Sequence, residues 1–173
     1  MIKRTIFEIL QRSKKSIILL GPRQTGKSTL INSLQPELSI NLALESTFLE
    51  FARNPDELPQ RLAAKKYKTV LTDAIPRLPQ VLNTIQVIID ESKHAPRFYL
   101  TGSSARKLKR GKANLLPGRV HTYFLGSLIS KELNYKINTK EALSTGTLPG
   151  IWSEHEIKEK QKTLRSYAST YLK

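Results

Sequence analysis

The sequence contains no cysteine. That excludes disulfides, thiolate zinc sites, iron–sulfur clusters and a cysteine nucleophile. Its three histidines, His94, His121 and His155, lie far apart and show no metal-ligand spacing. Long apolar runs are also missing. No stretch approaches the ~18 residues of a membrane span, and Glu8, Gln11, Arg12, Lys14 and Lys15 interrupt the N-terminal segment where a signal peptide needs an apolar core. No membrane partner and a cytoplasmic location are the expectation. Acid is scarce as well, with 14 Asp and Glu against 29 Lys and Arg and a net charge of +15. The partners this balance fits are polyanions: nucleic acid, a nucleotide, or an acidic protein surface.

What is present is enough for one globular unit. The 173 residues are 39% apolar and 25% charged, an ordinary composition for a packed domain and too apolar for a disordered chain. Short apolar runs alternate with helical periodicity, the pattern of an α/β domain with a mostly parallel sheet. Strands are predicted at 16–20, 38–44, 69–73, 97–101 and 120–125. Helices are predicted at 26–34, 47–66 with a break near Asn54-Pro55, and 77–91. Beyond Ser127 the chain reads as helical, with a loop at 146–150 and a last helix from about Glu154 that has no evident stop and leaves Leu164, Tyr167 and Tyr171 to be exposed. Residues 2, 6, 9 and 10 share one helical face, suited to docking on the domain or to a membrane surface.

One motif carries chemistry. Gly21-Pro22-Arg23-Gln24-Thr25-Gly26-Lys27-Ser28 fits G-x-x-x-x-G-K-[ST], with an apolar strand before it and a helix after it. Glycines at this spacing let the backbone curl and aim successive N–H groups at phosphate oxygens. Lys27 is placed to reach the β- and γ-phosphates, the Ser28 hydroxyl to ligate Mg²⁺, and Thr29 opens the helix whose positive end adds to the site. The bland alternative is a glycine-rich turn with a surface lysine. Such a loop needs an Asp on a neighbouring strand to hold the metal. Val87-Ile88-Ile89-Asp90-Glu91 looks the part, but it ends a run of 3.6-residue periodicity and reads as a helix C-terminus. Thr69-Val70-Leu71-Thr72-Asp73 has strand length, so Asp73 is the metal-linked acid, with a capping Asp as its alternative. The next residue is Ala74, which has no carboxylate to orient water. Loss of a positioned base costs typically 10²–10⁴-fold in rate, so the expectation is nucleotide binding with weak or absent turnover.

These residues resemble the N-terminal ATPase domain of a large, poorly characterised group of bacterial and archaeal AAA-type ATPases. The likeness runs over nearly the whole chain: the GPRQ-x-GK-[ST] loop at 21–28, Asp73-Ala74-Ile75-Pro76-Arg77-Leu78-Pro79 where the group has D-E-I-Q-R-x-P, Leu100-Thr101-Gly102-Ser103-Ser104, Gly118-Arg119, and Gly146-Thr147-Leu148-Pro149. The resemblance implies an AAA-type P-loop core with a five-stranded parallel sheet flanked by helices, and ATP with Mg²⁺ as its ligands. It implies a polar sensor at Ser103 and Ser104 near the γ-phosphate, and a candidate arginine finger or sensor at Arg119, with a neighbouring subunit of a homo-oligomer as one place to act. Helix capping by the serines and a solvated rim arginine are the plainer alternatives. The departures are Ala74 for the catalytic Glu, Pro76 for Gln and Gly126 for a proline. Members continue into a nuclease-like C-terminal domain, so residues 1–135 read as the nucleotide-binding domain and 136–173 as the start of a linker in a truncated, partly degenerate relative.

A second feature stands apart from the loop. Between Glu91 and Glu132 there is no acid, while Lys93, Arg97, Arg106, Lys107, Lys109, Arg110, Lys112, Arg119 and Lys131 are basic. Residues 93–119 form a candidate phosphate-backbone footprint for DNA, or a solvated face. Apart from Phe98 and Tyr99 of the predicted strand 97–101, no aromatic interleaves before Tyr123, so single-strand stacking is poorly supported. Arg23 and Arg77 read as surface or phosphate-rim charges, and Trp152 as a core or interdomain contact.

Overall fold

A computed structural model of the chain describes residues 2–103 and 115–171. Five strands form one sheet: β1 (Ser16–Leu20), β2 (Leu38–Asn41), β3 (Thr69–Asp73), β4 (Arg97–Gly102) and β5 (Val120–Phe124). All pairings are parallel and the order is β2-β3-β4-β1-β5. The α/β fold with a five-stranded parallel sheet is thus as the sequence implies.

The central position of β1 explains its composition. All five of its residues are buried, because a strand covered on both faces reads as a continuous apolar run. Alternate side chains feed two clusters. Ile18, Leu20, Val70, Phe98 and Leu100 join one, with Phe51, Leu58, Leu82 and Ile85 from covering helices. Ile17, Leu19, Leu71 and Tyr99 join the other, with Leu10, Leu30 and Ile31. The edge strand β5 is far more open, and Phe124 is 68% exposed.

The helices are α1 (Phe7–Arg12), α2 (Lys27–Asn32), α3 (Glu45–Arg53), α4 (Glu57–Ala64), α5 (Val81–Glu91), α6 (Thr139–Thr145), α7 (Pro149–Trp152) and α8 (Ile157–Tyr171). The break at Asn54-Pro55 separates α3 from α4. The run predicted as one helix from 77 is split: Ile75–Arg77 is a 3-10 turn, and α5 begins only after Pro79, which has no N–H to continue a helix. Asp90 and Glu91 close α5 rather than a strand. β2 stops at Asn41, whose side chain accepts the Ala43 N–H at 3.0 Å. Through Leu10, the N-terminal helix docks on the domain.

On α8, Leu164 and Tyr167 are half-buried, contrary to the expectation that they are exposed, because that helix packs on α6 and α7. The Lys160 ammonium fastens it, 2.5 Å from Glu141 and 5.8 Å from the Trp152 ring centroid. The side chain of Tyr171 lies outside the described residues.

Candidate functional site

In a parallel sheet every strand ends at the same edge, and there β1 runs into the glycine loop. Gly21 has φ +151°, and a Cβ on it would sit 2.1 Å from the Leu125 carbonyl oxygen. Only glycine lets the loop leave β1 against the end of β5. Gly26 (φ +85°) and Gln24 (φ +62°) supply two left-handed turns. The curl leaves the backbone N–H groups of Gln24, Gly26, Lys27 and Ser28 without a hydrogen-bond partner among the described residues.

Lys27 lies across this concavity. Its buried ammonium donates to the Pro22 carbonyl at 2.5 Å and lies 3.4 Å from Thr25 Oγ1. Burial pushes its pKa below the ordinary lysine value. The Asp73 carboxylate pulls it back up, and Arg23 adds to the depression. The Ser28 hydroxyl, half-buried, has no partner among the described residues, whereas Thr29 and Arg23 are exposed. Tyr167 of α8 reaches the Arg23 carbonyl at 3.4 Å, so the last helix borders the loop.

Asp73 ends β3, two strands from β1. Its Oδ1 accepts the Thr101 hydroxyl and, at 2.9 Å, the Ala74 N–H. Its other oxygen has no partner among the described residues. Between β1 and β3 lies β4, and Ser103 follows its end, so the sheet order puts it between the loop and Asp73. Ala74 takes a left-handed backbone (φ 61°, ψ 38°) and packs against the apolar cluster around Ile75 and Leu78.

Arg4 is the group that reading the sequence missed. Its side chain is buried, and its fork spans three segments. One nitrogen donates to the Thr25 carbonyl of the loop at 2.7 Å. Another donates to the Gly126 and Ser127 carbonyls at 2.9 and 3.2 Å, and Nε lies 3.0 Å from Glu132 Oε1. Burial pushes Glu132 up, but the Thr5 N–H, Arg4 and the Ile129 N–H together hold it below the usual glutamate value. The only signal in the sequence was that Glu132 ends the acid-free window.

A family model for an AAA domain matches residues 13–134. The chain belongs to that family. It is 27% identical over 161 residues to the uncharacterized proteins Mb2031c of Mycobacterium bovis and Rv2008c of Mycobacterium tuberculosis. The match covers 90% of this chain and 35% of theirs, so the chain spans about a third of the length of these relatives. Among solved structures, a Pif1 helicase studied in DNA unwinding at forked double-stranded DNA is similar with a TM-score of 0.50 and 14% identity, over 83% of this chain and 51% of that one. The P-loop NTPase domain of the Sigma-54 transport activator from E. coli has a TM-score of 0.44 and 14% identity, over 69% and 89%. The fold is that of a P-loop NTPase.

Within this AAA domain the structure brings residues 21–29, Asp73 and Ser103 to one edge. Arg119 is elsewhere. It precedes β5, whose first residue pairs with Ser16, so it lies at the opposite edge, about 16 Å away at ~3.3 Å per strand residue. There it holds Asp90 with two bonds of 2.6 and 2.7 Å. Ser104 and the basic residues 106–112 lie outside the described residues. Arg77 is a surface charge, as one of its two readings has it: it donates to the Leu42 and Ala43 carbonyls, pairs with Glu45 at 2.6 Å and stacks on Phe48. Among the described residues no group of three His, Asp or Glu could hold a metal, and no helix is long and apolar enough to cross a membrane.

Proposed function

We propose that this AAA domain binds ATP with Mg²⁺ through Gly21 to Thr29 and Asp73, and turns it over slowly. The observation that carries the reading is the convergence of the loop's unsatisfied N–H groups, the buried Lys27 ammonium, the free Ser28 hydroxyl and the free Asp73 oxygen on one edge. Unpaired donors around a buried cation suit an anion. A hydroxyl and a carboxylate oxygen beside it are the hard oxygen donors Mg²⁺ takes along with phosphate oxygens. Lys27 would lie on the β- and γ-phosphates, and Ser28 and Asp73 would hold the metal, whose chemistry is to bridge phosphate oxygens and neutralise their charge. Ser103 would sense the γ-phosphate. Arg119, at the far edge, would act only on the site of a neighbouring copy. Residues 1–135 serve as the nucleotide-binding unit and 136–173 as a helical tail.

Slow turnover follows from position 74, which offers no base: Ala74 has no carboxylate, and its side chain packs against the apolar cluster around Ile75 and Leu78. A thermal-melt titration with Mg-ATP tests the reading. Ligand at ~100 times its Kd adds about 2.7 kcal/mol, a rise of roughly 5–10 °C for a chain of this size. The rise is expected to vanish in Lys27→Ala. A cooperative melt with no rise would leave the loop as an element of the fold alone.

A further inference from the structure

Among the described residues, the edge of the sheet opposite the loop carries a second concentration of unsatisfied chemistry. Lys14 and Lys15 precede β1. Lys65, Lys66 and Lys68 precede β3, and Lys93 precedes β4. All six are exposed, and none makes an ion pair among the described residues. These loops are sewn into one rim. The Arg97 N–H donates to the Lys68 carbonyl at 2.9 Å, and the Arg97 guanidinium reaches the Ser13 carbonyl. Lys15 Nζ donates to the Gly118 carbonyl at 2.8 Å. The acids of this rim are few. Asp90 is taken by Arg119, Glu37 accepts the Lys68 backbone N–H at 2.6 Å, and Glu91 remains.

Helix ends do not account for this density. Helices that cover a parallel sheet finish at the edge where strands start, and cations in their last turn are favoured, but the effect fades beyond that turn. Arg12 is in the last turn of α1, whereas α5 has no base there. Lys14, Lys66, Lys68 and Lys93 all lie past a helix end. The strands that start here are neighbours in the order β3-β4-β1-β5, and at ~4.8 Å per strand the rim is about 14 Å long. One strand of a duplex places about four phosphates along that length.

We infer that this rim docks on the phosphodiester backbone of a duplex nucleic acid, through the lysines before β1, β3 and β4 rather than through the loop that holds nucleotide. Without base-edge groups such contact is expected to be independent of sequence. About four phosphate contacts predict a slope of log K against log salt near −3.6, or about a 150-fold loss of affinity between 50 and 200 mM.

The test is fluorescence anisotropy of the full chain with labelled 20-base-pair DNA and RNA duplexes across that salt range. The triple variant K14Q/K66Q/K93Q is expected to lower affinity by about 100-fold at 50 mM and flatten the slope toward −1, with the melt unchanged because these side chains are exposed and make no ion pair among the described residues. The control K136Q/K140Q/K158Q removes the same charge from the helical tail and is expected to change affinity less than threefold, and Lys27→Ala not at all. Binding of either duplex with this pattern supports the inference, and the DNA-to-RNA ratio names the source. Four results overturn it: no binding at 50 mM, equal loss in both triples, loss confined to R106Q/K107Q/K109Q/R110Q, or binding only to vesicles of anionic lipid.

Discussion

Arg4→Ala is expected to be among the most damaging changes outside the glycine loop, although position 4 is in no motif. The side chain is 9% exposed and Glu132 3%. Removing the guanidinium deprives the Thr25, Gly126 and Ser127 carbonyls of their donor and strands a buried carboxylate. Breaking a buried pair by removing one partner costs about 3–5 kcal/mol, equivalent to a melting-point loss of roughly 6–20 °C for this size. Arg4→Lys is expected to recover only part, since an ammonium cannot reproduce the fork. Glu132→Gln removes the stranded charge and keeps an acceptor for one of the Thr5 and Ile129 N–H groups, which the carboxylate takes on separate oxygens, so the double variant Arg4→Ala/Glu132→Gln should lose less than the two single losses together, by about 0.5–3 kcal/mol of coupling. Acid provides an independent reading. The folded pKa of Glu132 lies below its unfolded value of 4.5, so its contribution is full above that value and disappears as pH falls through the lower folded one. Glu132→Gln should flatten the stability profile there. Urea denaturation measures the energies, and amide exchange at residues 21–28 reports whether the loop loosens in the protein without nucleotide. An Arg4→Ala variant within about 0.5 kcal/mol of the parent, as for an ordinary surface substitution, would refute the reasoning.

Two further changes separate backbone from chemistry. Gly21→Ala places a methyl group 2.1 Å from the Leu125 carbonyl oxygen, a backbone contact that cannot rotate away, and is expected to cost at least the ~1–3 kcal/mol of core overpacking, read by urea denaturation. Ala74→Glu is expected to destabilise and not to raise ATP turnover in a phosphate-release assay. The new side chain starts among Ile75, Leu78 and their neighbours rather than in the loop, where a carboxylate is costly to desolvate. A turnover gain of 10²-fold or more would show that the missing base alone sets the rate.

Much of the fold was legible because its signals are local. The apolar run 16–20 ending at Gly21-Pro22 marks a buried strand and the start of the glycine loop together. The 3.6-residue periodicity from Leu78 correctly removed Asp90 from the strands and left Asp73. The split before α5 was missed although Pro79 was in view, because apolar spacing continues across it and periodicity does not register a missing N–H.

The rest of the candidate site depends on distance along the chain. Arg4 and Thr25 are 21 residues apart, Arg4 and Gly126 122, and a single sequence carries no trace of such a pairing. The same holds for the basic residues. Read along the chain, the acid-free window 93–119 attracts attention, but Arg97 is tied to Ser13 and Tyr99, and Arg119 to Asp90. Read across the sheet, exposed lysines with no ion pair among the described residues come from 14–15, 65–68 and 93, three segments that parallel strands bring to one edge because every strand must start there. A parallel sheet therefore sorts charge by strand end rather than by sequence position. In this chain the sorting gives two cationic edges of different kinds, one buried around Lys27 and the other exposed and extended along the strand starts.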